Sequence, residues 1–452
     1  MSCPIPILSL LRLGLALVGV LLSGTLVLPL SAQSTAEVWR NYIATHAVAL
    51  EGPDDAAKLL PYLDGRELIL LGETTHGTHE YYVWRAAITQ ALVEQGDLRF
   101  VAVEGDWHLL DRLDRYVRHK ADAPASARAA LMTFDRWPEW MWANPVIEAM
   151  AEWLHEWNAS QPPEKRVGIH GIDVYGWGES AAQLPDYLEA LEPGWGERAR
   201  RGLNPLIAMG GDSHAFHRAV LQSRATGADK LNAIHERLET DGDQLKSKNP
   251  SAYAQARQHA ALVKQAKAHL RKNAQGHPRS WNPRAENFMA TINRLRDYYG
   301  DDARGVVWAH NTHIGDSRYT PMRNYGMFTI GQQAREMLGE DRVYLLGFAS
   351  DQGTFRAGRQ WGQPGEVMRL PPADPLTFDH WLQEAAPPEA FIPMDEARGN
   401  PLLRLQAGHR AIGVVHGGGT DMRQNYVPSV IPLRYDGIIY LRESRALDEL
   451  ER

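Results

Sequence analysis

The sequence predicts an α/β fold: a mostly parallel central sheet flanked by helices, with an inserted all-helical subdomain. Short apolar, β-branched runs recur along the 452-residue chain, and most are bounded by Gly, Asp or Asn, which is typical of buried strands in a parallel sheet. Long helical patterns separate these runs. Residues 180–300 are rich in helix-forming residues and contain no convincing strand pattern. We therefore predict an α/β core from residues 34–179 and 301–452 around a helical insertion at 180–300.

Periodicity and turn signals place the individual elements. A helix-like lead covers residues 37–49. Strands are predicted over residues 68–72, 99–103, 166–170, 305–308, 342–346, 411–416 and 437–441. An amphipathic helix is predicted over residues 80–95, with Thr78 as its N-cap. The insertion contains two strong helical patterns, at residues 252–272 and 282–299.

The first 33 residues are predicted to be an export signal. Arg12 is the only basic residue ahead of a long apolar run, and Pro29-Leu-Ser-Ala-Gln33 resembles a signal-peptidase region. A retained membrane anchor is the alternative. The single cysteine, Cys3, lies inside this segment, so the mature chain has no thiol for a disulfide, a nucleophile or a metal site. We expect a periplasmic or secreted protein that meets a membrane only through this signal.

The overall charge of −7, from 48 basic and 55 acidic residues, gives no support to nucleic-acid binding, which needs a basic surface. Motifs for several common mechanisms are also missing from the sequence. It contains no Gly-x-Ser-x-Gly elbow, no His-Glu-x-x-His and no phosphate-binding loop. The glycines at 176–178 and 417–419 resemble a dinucleotide loop and a lipase oxyanion loop, but they lack the accompanying residues of either.

Polar residues follow two of the predicted strands at the point where each ends. Glu73 and His76 follow the strand at 68–72, and Glu104 ends the strand at 99–103. The carboxyl ends of parallel strands share one sheet edge, where open α/β sheets keep their sites. A capped turn with solvated charges is the simpler interpretation of Glu73 and His76 alone. Because Glu104 is expected at the same edge, we favour the interpretation that His76 is held between two carboxylates. A histidine in this arrangement can act as a general base.

A third predicted strand, at 305–308, leads into His310 and His313. Histidines at a strand end can act as general acids, oxyanion donors or metal ligands, although many such pairs are structural. Arg85 borders the buried face of the helix at 80–95. Two interpretations of this position are about equally good. Arg85 either points inward and forms a salt bridge with a strand-end carboxylate, or lies on the surface in contact with solvent. The tryptophans at 137, 140, 142, 153 and 157 are more typical of core packing than of an apolar pocket wall.

With these residues in place, the chain resembles the erythromycin esterase family. The matching segments cover nearly all of the mature chain in order: 71–77, Arg85, 101–105, 140–158, 171–175, 308–313 and 435–440. The resemblance implies an α/β domain with a helical insertion and hydrolysis of a carboxylic ester, in the best-known members a macrolide lactone. It also implies functional roles for Glu73, His76, Arg85, Glu104, His310 and His313, with His76 as the base that activates water. One departure is the run Arg284-Ala-Glu-Asn287, where the family often has Arg-Asp, and this puts substrate contacts there in question.

The leading hypothesis is ester hydrolysis without a cofactor. His76, oriented by Glu73 or Glu104, would take a proton from water, and His310 or His313, with helix N–H groups or Arg85, would stabilise the oxyanion. The first alternative keeps the same residues but adds a divalent metal that supplies a bound hydroxide. The second is a non-catalytic exported protein that binds a small ligand or haem in the crevice. The partner expected on the leading hypothesis is a small-molecule ester.

Overall fold

The structure is a computed structural model that describes residues 30–221, 227–274, 280–300, 302–419 and 422–451. The predicted export signal lies outside the described residues except for positions 30–33, which begin the first helix. Within the described ranges, no helix is long and apolar enough to span a membrane.

Eleven strands are present in the described residues. They are β1 Val48–Ala49, β2 Leu68–Leu71, β3 Leu98–Asp106, β4 Gly168–Asp173, β5 Arg304–Trp308, β6 Val343–Ala357, β7 Glu366–Arg369, β8 Glu389–Pro393, β9 Ala407–Arg410, β10 Tyr426–Ser429 and β11 Gly437–Ser444. Nine form one sheet in the order β1-β8-β11-β6-β2-β5-β3-β4, with β7 paired to β6 beside this path, and β9 and β10 form a separate antiparallel pair.

The helices lie between and around these strands. They are α1 Leu30–His46, α2 Leu60–Leu63, α3 His79–Glu94, α4 Trp107–Val117, α5 Ala127–Leu131, α6 Pro145–Ala159, α7 Trp177–Leu191, α8 Trp195–Ile207, α9 Ser213–Leu221, α10 Ala228–Thr240, α11 Gly242–Lys248, α12 Pro250–Ala274, α13 Trp281–Tyr299, α14 Asn311–Ile314, α15 Ile330–Leu338, α16 Phe378–Ala385, α17 Met422–Asn425 and α18 Ile431–Arg434. Between β4 and β5, the described residues form helices and turns without a strand.

The predicted fold class is confirmed. The centre of the sheet is parallel, because β11, β6, β2, β5, β3 and β4 pair in the same direction, while β1, β7 and β8 add antiparallel edges. Successive residues of β2 point into two different cores. Leu68 and Leu70 pack with the helices between β4 and β5, whereas Ile69 and Leu71 pack with α3, α4 and α6. The molecule therefore has helical layers on both faces of the sheet.

The order of strands brings the predicted site together in a way that the sequence did not reveal. The segment β2–α3–β3 is a parallel crossover, as expected, but its two strands are not neighbours. β5 lies between them and pairs with both. His310 therefore follows a strand that lies between the strand leading to Glu73 and the strand carrying Glu104.

Two local predictions are wrong. Residues 411–416 form isolated bridges to Thr75 and Gly358 instead of a strand, because they run against two loops, each of which offers a single backbone partner. The strand predicted to end at Glu104 continues to Asp106. A register shift after Val103 changes the direction of its last side chains. Thr78 is the N-cap residue of α3, as predicted, although its hydroxyl bonds the hydroxyl of Thr75 and makes no cap hydrogen bond.

Candidate active site

The candidate site lies at the carboxyl edge of the parallel strands. Glu73 and His76 follow β2, Glu104 and Asp106 lie at the end of β3, Asp173 ends β4, and His310 follows β5. Gly72 allows the segments after β2 and β5 to approach closely, since a Cβ added there would lie 1.9 Å from Oδ1 of Asn311. The strand ends thus concentrate polar groups in a small, largely buried volume.

Glu73 connects His76 to a buried arginine. Its Oε1 lies 2.8 Å from Nδ1 of His76, and its Oε2 lies 2.8 Å from Nη2 of Arg85. Burial of the His76 ring acts against its charged form, but the hydrogen bond and charge of Glu73, with the charge of Glu104, raise the pKa of His76 above its ordinary value. Because Nδ1 is engaged by Glu73, Nε2 is the nitrogen left for substrate chemistry.

Arg85 is fully buried, so the inward salt bridge is the interpretation that the structure favours. Its guanidinium packs against the rings of Tyr82, at 4.3 Å, and Trp308, at 5.1 Å. The side chain is 0% exposed and is not part of the cavity wall. Arg85 is therefore placed to fix Glu73 and is too deep to stabilise an oxyanion in the cavity.

Glu104 lies on the other side of His310. Its Oε2 accepts the backbone N–H of His310 at 2.9 Å, and its Oε1 accepts from Nη2 of Arg284 at 2.8 Å. Burial opposes the carboxylate, but His313 when protonated, and Arg284 permanently, hold the pKa of Glu104 well below its usual range. Glu104 is therefore ionised at neutral pH and compensated chiefly by Arg284.

His310 and His313 have less proton affinity than His76. Burial and the charge of His76 hold the pKa of His310 well below its ordinary value, and its Nδ1 lies 2.8 Å from the hydroxyl of Thr312. Burial also lowers the pKa of His313 against the pull of Glu104. Nε2 of His313 lies 3.1 Å from Nη1 of Arg284 and 3.2 Å from Glu104, and it cannot accept from one and donate to the other at once. The lowered pKa favours a neutral ring that accepts from Arg284.

Arg284 and Asp173 belong to the site, although the sequence did not identify either as a functional residue. Arg284 binds Asp173 through two nitrogens, at 2.9 and 2.6 Å, and also contacts Glu104 and His313. Despite burial, the charge of Arg284 lowers the pKa of Asp173. The available signals were the departure at 284–287, which contains Arg284, and the matching segment 171–175, which contains Asp173.

An open cavity of about 100 Å³ lies over these groups. Of the six predicted residues, His76 and Glu104 line it, while Glu73, Arg85, His310 and His313 lie behind it. Its other charged lining residues are Arg284, Asp173, Asp106, Arg136 and Glu139. The Arg136 guanidinium binds both oxygens of Asp106, and the ring of Tyr175 lies 4.8 Å from Arg136 and 5.4 Å from Arg284.

The mouth of the cavity is aromatic. Trp361, in the loop between β6 and β7, is 64% exposed and lies edge-on to Trp137 at 4.8 Å. Trp142 and Val414 form part of the wall. The predicted tryptophan group therefore divides between two roles, because Trp140 is buried in the core while Trp142 contacts the cavity.

Helix N–H groups are a poorer oxyanion site than the sequence suggested. The first N–H of α3, from His79, donates to the carbonyl of Arg445 at 2.8 Å. The backbone N–H of Arg445 in turn donates to Glu80 in the first turn of that helix. The C-terminal segment thus covers the start of α3. Among the groups that line the cavity, the cations Arg136 and Arg284 are better placed to stabilise negative charge.

The same residues fit a metal ion poorly. Across the described ranges, no group of three His, Cys, Asp or Glu side chains is arranged to hold one. The oxygens of Glu73 and Glu104 are already engaged by His76, Arg85, Arg284 and a backbone N–H. A divalent cation beside Glu104 would also lie next to the permanent charge of Arg284, which is unfavourable.

Fold and site together define an α/β protein with a histidine–carboxylate–arginine cluster at the carboxyl edge of its sheet. A sequence model of the erythromycin esterase family matches residues 93–444. The chain belongs to the erythromycin esterase family, as the motifs indicated, and membership indicates a hydrolase. Glu104, His310 and His313 lie inside the matched range, and Glu73, His76 and Arg85 precede it.

Solved structures share this fold at low sequence identity. A Bacillus cereus protein has a TM-score of 0.77 and 17% identity, with 92% of this chain and 99% of that chain covered. A protein described as a succinoglycan biosynthesis protein has a TM-score of 0.75, 17% identity and the same coverage. A mutant of the erythromycin esterase EreC in its open conformation has a TM-score of 0.64 and 14% identity, covering 86% of this chain and 93% of that one. At these identities the likeness shows the shared fold alone.

Proposed function

We propose that this protein hydrolyses carboxylic esters, with His76 as the general base that activates water. The observation that carries this proposal is the environment of His76. It is the one of the three site histidines that lines the cavity, and its pKa is raised while those of His310 and His313 are lowered. Groups whose environments separate their pKa values in this way are candidates for distinct acid–base roles.

In the proposed reaction, Nε2 of His76 removes a proton from water as the water oxygen bonds to the ester carbonyl carbon. The electron pair moves to the carbonyl oxygen, and the cations Arg136 and Arg284 stabilise the resulting oxyanion. The tetrahedral intermediate then collapses and breaks the bond to the alcohol oxygen. The His76 imidazolium returns its proton to that oxygen, and the products are a carboxylic acid and an alcohol.

Glu73 holds the His76 ring in one orientation, with Nε2 toward the cavity, and stabilises its protonated form through the 2.8 Å hydrogen bond. Arg85 fixes Glu73 from the side away from the cavity. Glu104 and Asp173 orient Arg284. Of the six residues predicted from the sequence, His76 is thus the base, Glu73 and Arg85 support it, and Glu104 and His313 contact the cavity cation Arg284.

The substrate that we propose is an ester with an extended apolar or ring-shaped part, which includes macrolide lactones. The aromatic mouth at Trp361, which Trp137 contacts edge-on, offers a ring face to such a group, while the ester carbonyl reaches the charged floor. We also propose that the protein acts after export, as the N-terminal sequence pattern suggests, and that small molecules are its partners.

A panel of macrolides and simple aryl and alkyl esters tests the proposal, assayed by detection of the acid product. Turnover of at least one ester by the purified protein is expected. Each assay is repeated after exhaustive chelation, where unchanged turnover is expected because the reaction requires no metal. Loss of turnover on chelation and its return with zinc or manganese would favour the metal-dependent alternative. No turnover of any ester would favour the ligand-binding alternative.

A further inference from the structure

We propose that a second cavity, between the helical segment and the sheet, binds the oxyanion group of a small ligand, such as a phosphate or a carboxylate. This cavity has a volume of about 40 Å³, is partly open to solvent, and is lined by residues of α4, β4, α12 and α13 and by Arg118 and Lys120. It shares no lining residue with the candidate active site. The inference is therefore independent of the proposed esterase reaction.

The charge of this cavity is unbalanced. Its permanently charged lining residues in the described chain are three cations, Arg118, Lys120 and Arg294, and no carboxylate lines it. One buried carboxylate, Asp114, lies behind them, 2.6 Å from Lys120 and 3.7 Å from Arg118. Against burial, the charges of Lys120, His170 and Arg118 lower the pKa of Asp114. One carboxylate thus compensates two of the cations in a protein whose overall charge is −7.

Arg294 is the cation that forms no ion pair within the described part of the chain. Its Nε donates to Oε1 of Gln258 at 2.5 Å, and its Nη2 donates to the hydroxyl of Thr291 at 3.0 Å. Both acceptors are neutral. The nearby carboxylates of Glu239 and Asp297 are each 2.9 Å from Arg257 instead. Burial and the charge of Arg257 lower the pKa of Arg294 to about 10, against the opposing charges of Glu239 and Asp297. This is the effect of a desolvated cation with no carboxylate in direct contact.

The neutral side chains hold the cavity in place. The indole N–H of Trp107 donates to Gln255 at 3.1 Å, and the amide of Gln255 donates to Asp111 at 2.7 Å. His170 stacks on Trp107 at 5.4 Å, and burial lowers its pKa to about 4, so its ring is neutral at physiological pH. A guanidinium preorganised by neutral partners and lacking a carboxylate is a receptor for an oxyanion, which Arg binds through paired N–H groups.

Inorganic phosphate, sulfate and succinate are the probes, with sodium chloride at matched ionic strength as the reference. Thermal unfolding and calorimetric titration are measured on the full-length protein. At least one of the three anions is expected to raise the Tm beyond the sodium chloride reference, because a ligand that binds the native state stabilises it by mass action. Binding of phosphate and sulfate alone assigns the site to phosphate-type groups, and binding of succinate as well extends it to carboxylates. Both results support the proposal.

Arg294→Gln is the decisive variant. It removes a buried cation with no carboxylate in direct contact, so its Tm without added anion is not expected to fall. Its affinity for the anion is expected to drop about tenfold or more, since hydrogen bonds to charged groups contribute about 1.5–3 kcal/mol. Arg294→Lys keeps the charge but loses the paired geometry, and a smaller loss of affinity is expected.

Arg237→Gln is the matched control, because Arg237 lies in the same helical segment, pairs with Glu192 and Asp241, and lines neither cavity. It should bind the anion as the wild type does. The proposal is overturned if no anion exceeds the sodium chloride reference, or if both Arg294 variants bind with wild-type affinity.

Discussion

The Nδ1 atom of His76 lies 2.8 Å from Oε1 of Glu73, and the other oxygen of Glu73 lies 2.8 Å from Arg85. This arrangement orients the His76 ring from behind and leaves Nε2 toward the cavity. It also raises the pKa of His76, because a carboxylate beside the ring stabilises its protonated form.

The dependence of activity on pH follows from that contact. A base must be deprotonated to accept a proton, so kcat/KM should rise with pH through the pKa of His76, above its ordinary value of 6.5. In Glu73→Gln, the loss of the carboxylate lowers the pKa of His76, and the acid limb of the profile should move to lower pH. Initial rates across a pH series measure the acid limb of the wild type and of the variant. An acid limb in the same place for wild type and variant would show that Glu73 does not set the pKa of the base.

Arg85 should matter to stability more than any exposed arginine. Arg85→Met leaves the buried Glu73 carboxylate without its cation, and breaking a buried pair in this way costs about 3–5 kcal/mol of unfolding free energy. The double variant Arg85→Met with Glu73→Gln should recover part of that loss. Arg40→Met is the control, because the Arg40–Glu384 pair is exposed and such pairs contribute less than about 1 kcal/mol. Denaturant unfolding measures all four proteins. Equal effects of the Arg85 and Arg40 changes would contradict a structural role for the buried pair.

Catalytic activity should be sensitive to a substitution of Arg284 even when the substitution preserves the positive charge. Arg284→Lys cannot bind both oxygens of Asp173 while contacting Glu104 and His313, so the cation would be misplaced relative to the cavity. We expect kcat to fall by about 10²-fold, a magnitude typical for loss of an oxyanion-stabilising donor. The exposed Arg200→Lys change should leave kcat unaltered. Steady-state kinetics on the best ester of the panel make the comparison, and a wild-type kcat for Arg284→Lys would remove Arg284 from the mechanism.

Trp361 should affect binding and leave the chemical step unchanged. Trp361→Ala removes a ring face at the mouth, remote from the reacting atoms, so KM for bulky ring-bearing esters should rise while kcat stays near wild type. Small alkyl esters should show a smaller change. Tyr325→Ala is a control, because Tyr325 is 58% exposed but does not line the cavity. A fall in kcat with no change in KM would place Trp361 in a different role.

The fold class and the strand-end residues were predictable because their signals are local. Apolar runs that lead into Glu73, Glu104 and His310 show within a few residues where each strand ends. The parallel sheet then brings these three residues to one edge. The insertion of β5 between β2 and β3 was not predictable, since the strand order depends on contacts across more than 200 residues of sequence.

Arg284 and Asp173 were missed for a related reason. Both lie in segments that the family resemblance singled out, but only their bidentate contact gives them a place in the site. The strand predicted at 411–416 was wrong because its β-branched residues are not followed by pairing with a neighbouring strand: Ile412 is buried, Val415 is exposed, and the segment forms single bridges to two loops. The antiparallel strands β8, β9 and β10 are too short for periodicity to separate from loop sequence.

The most direct test of the central claim is kcat/KM of His76→Gln relative to the wild type, on an ester that the panel identifies. Gln retains a polar side chain but cannot act as a base near neutral pH. The expected result is a loss of about 10²–10⁴-fold with a near-native Tm, because a positioned base contributes about that much to the rate. Wild-type kcat/KM in a folded His76→Gln protein would contradict the account.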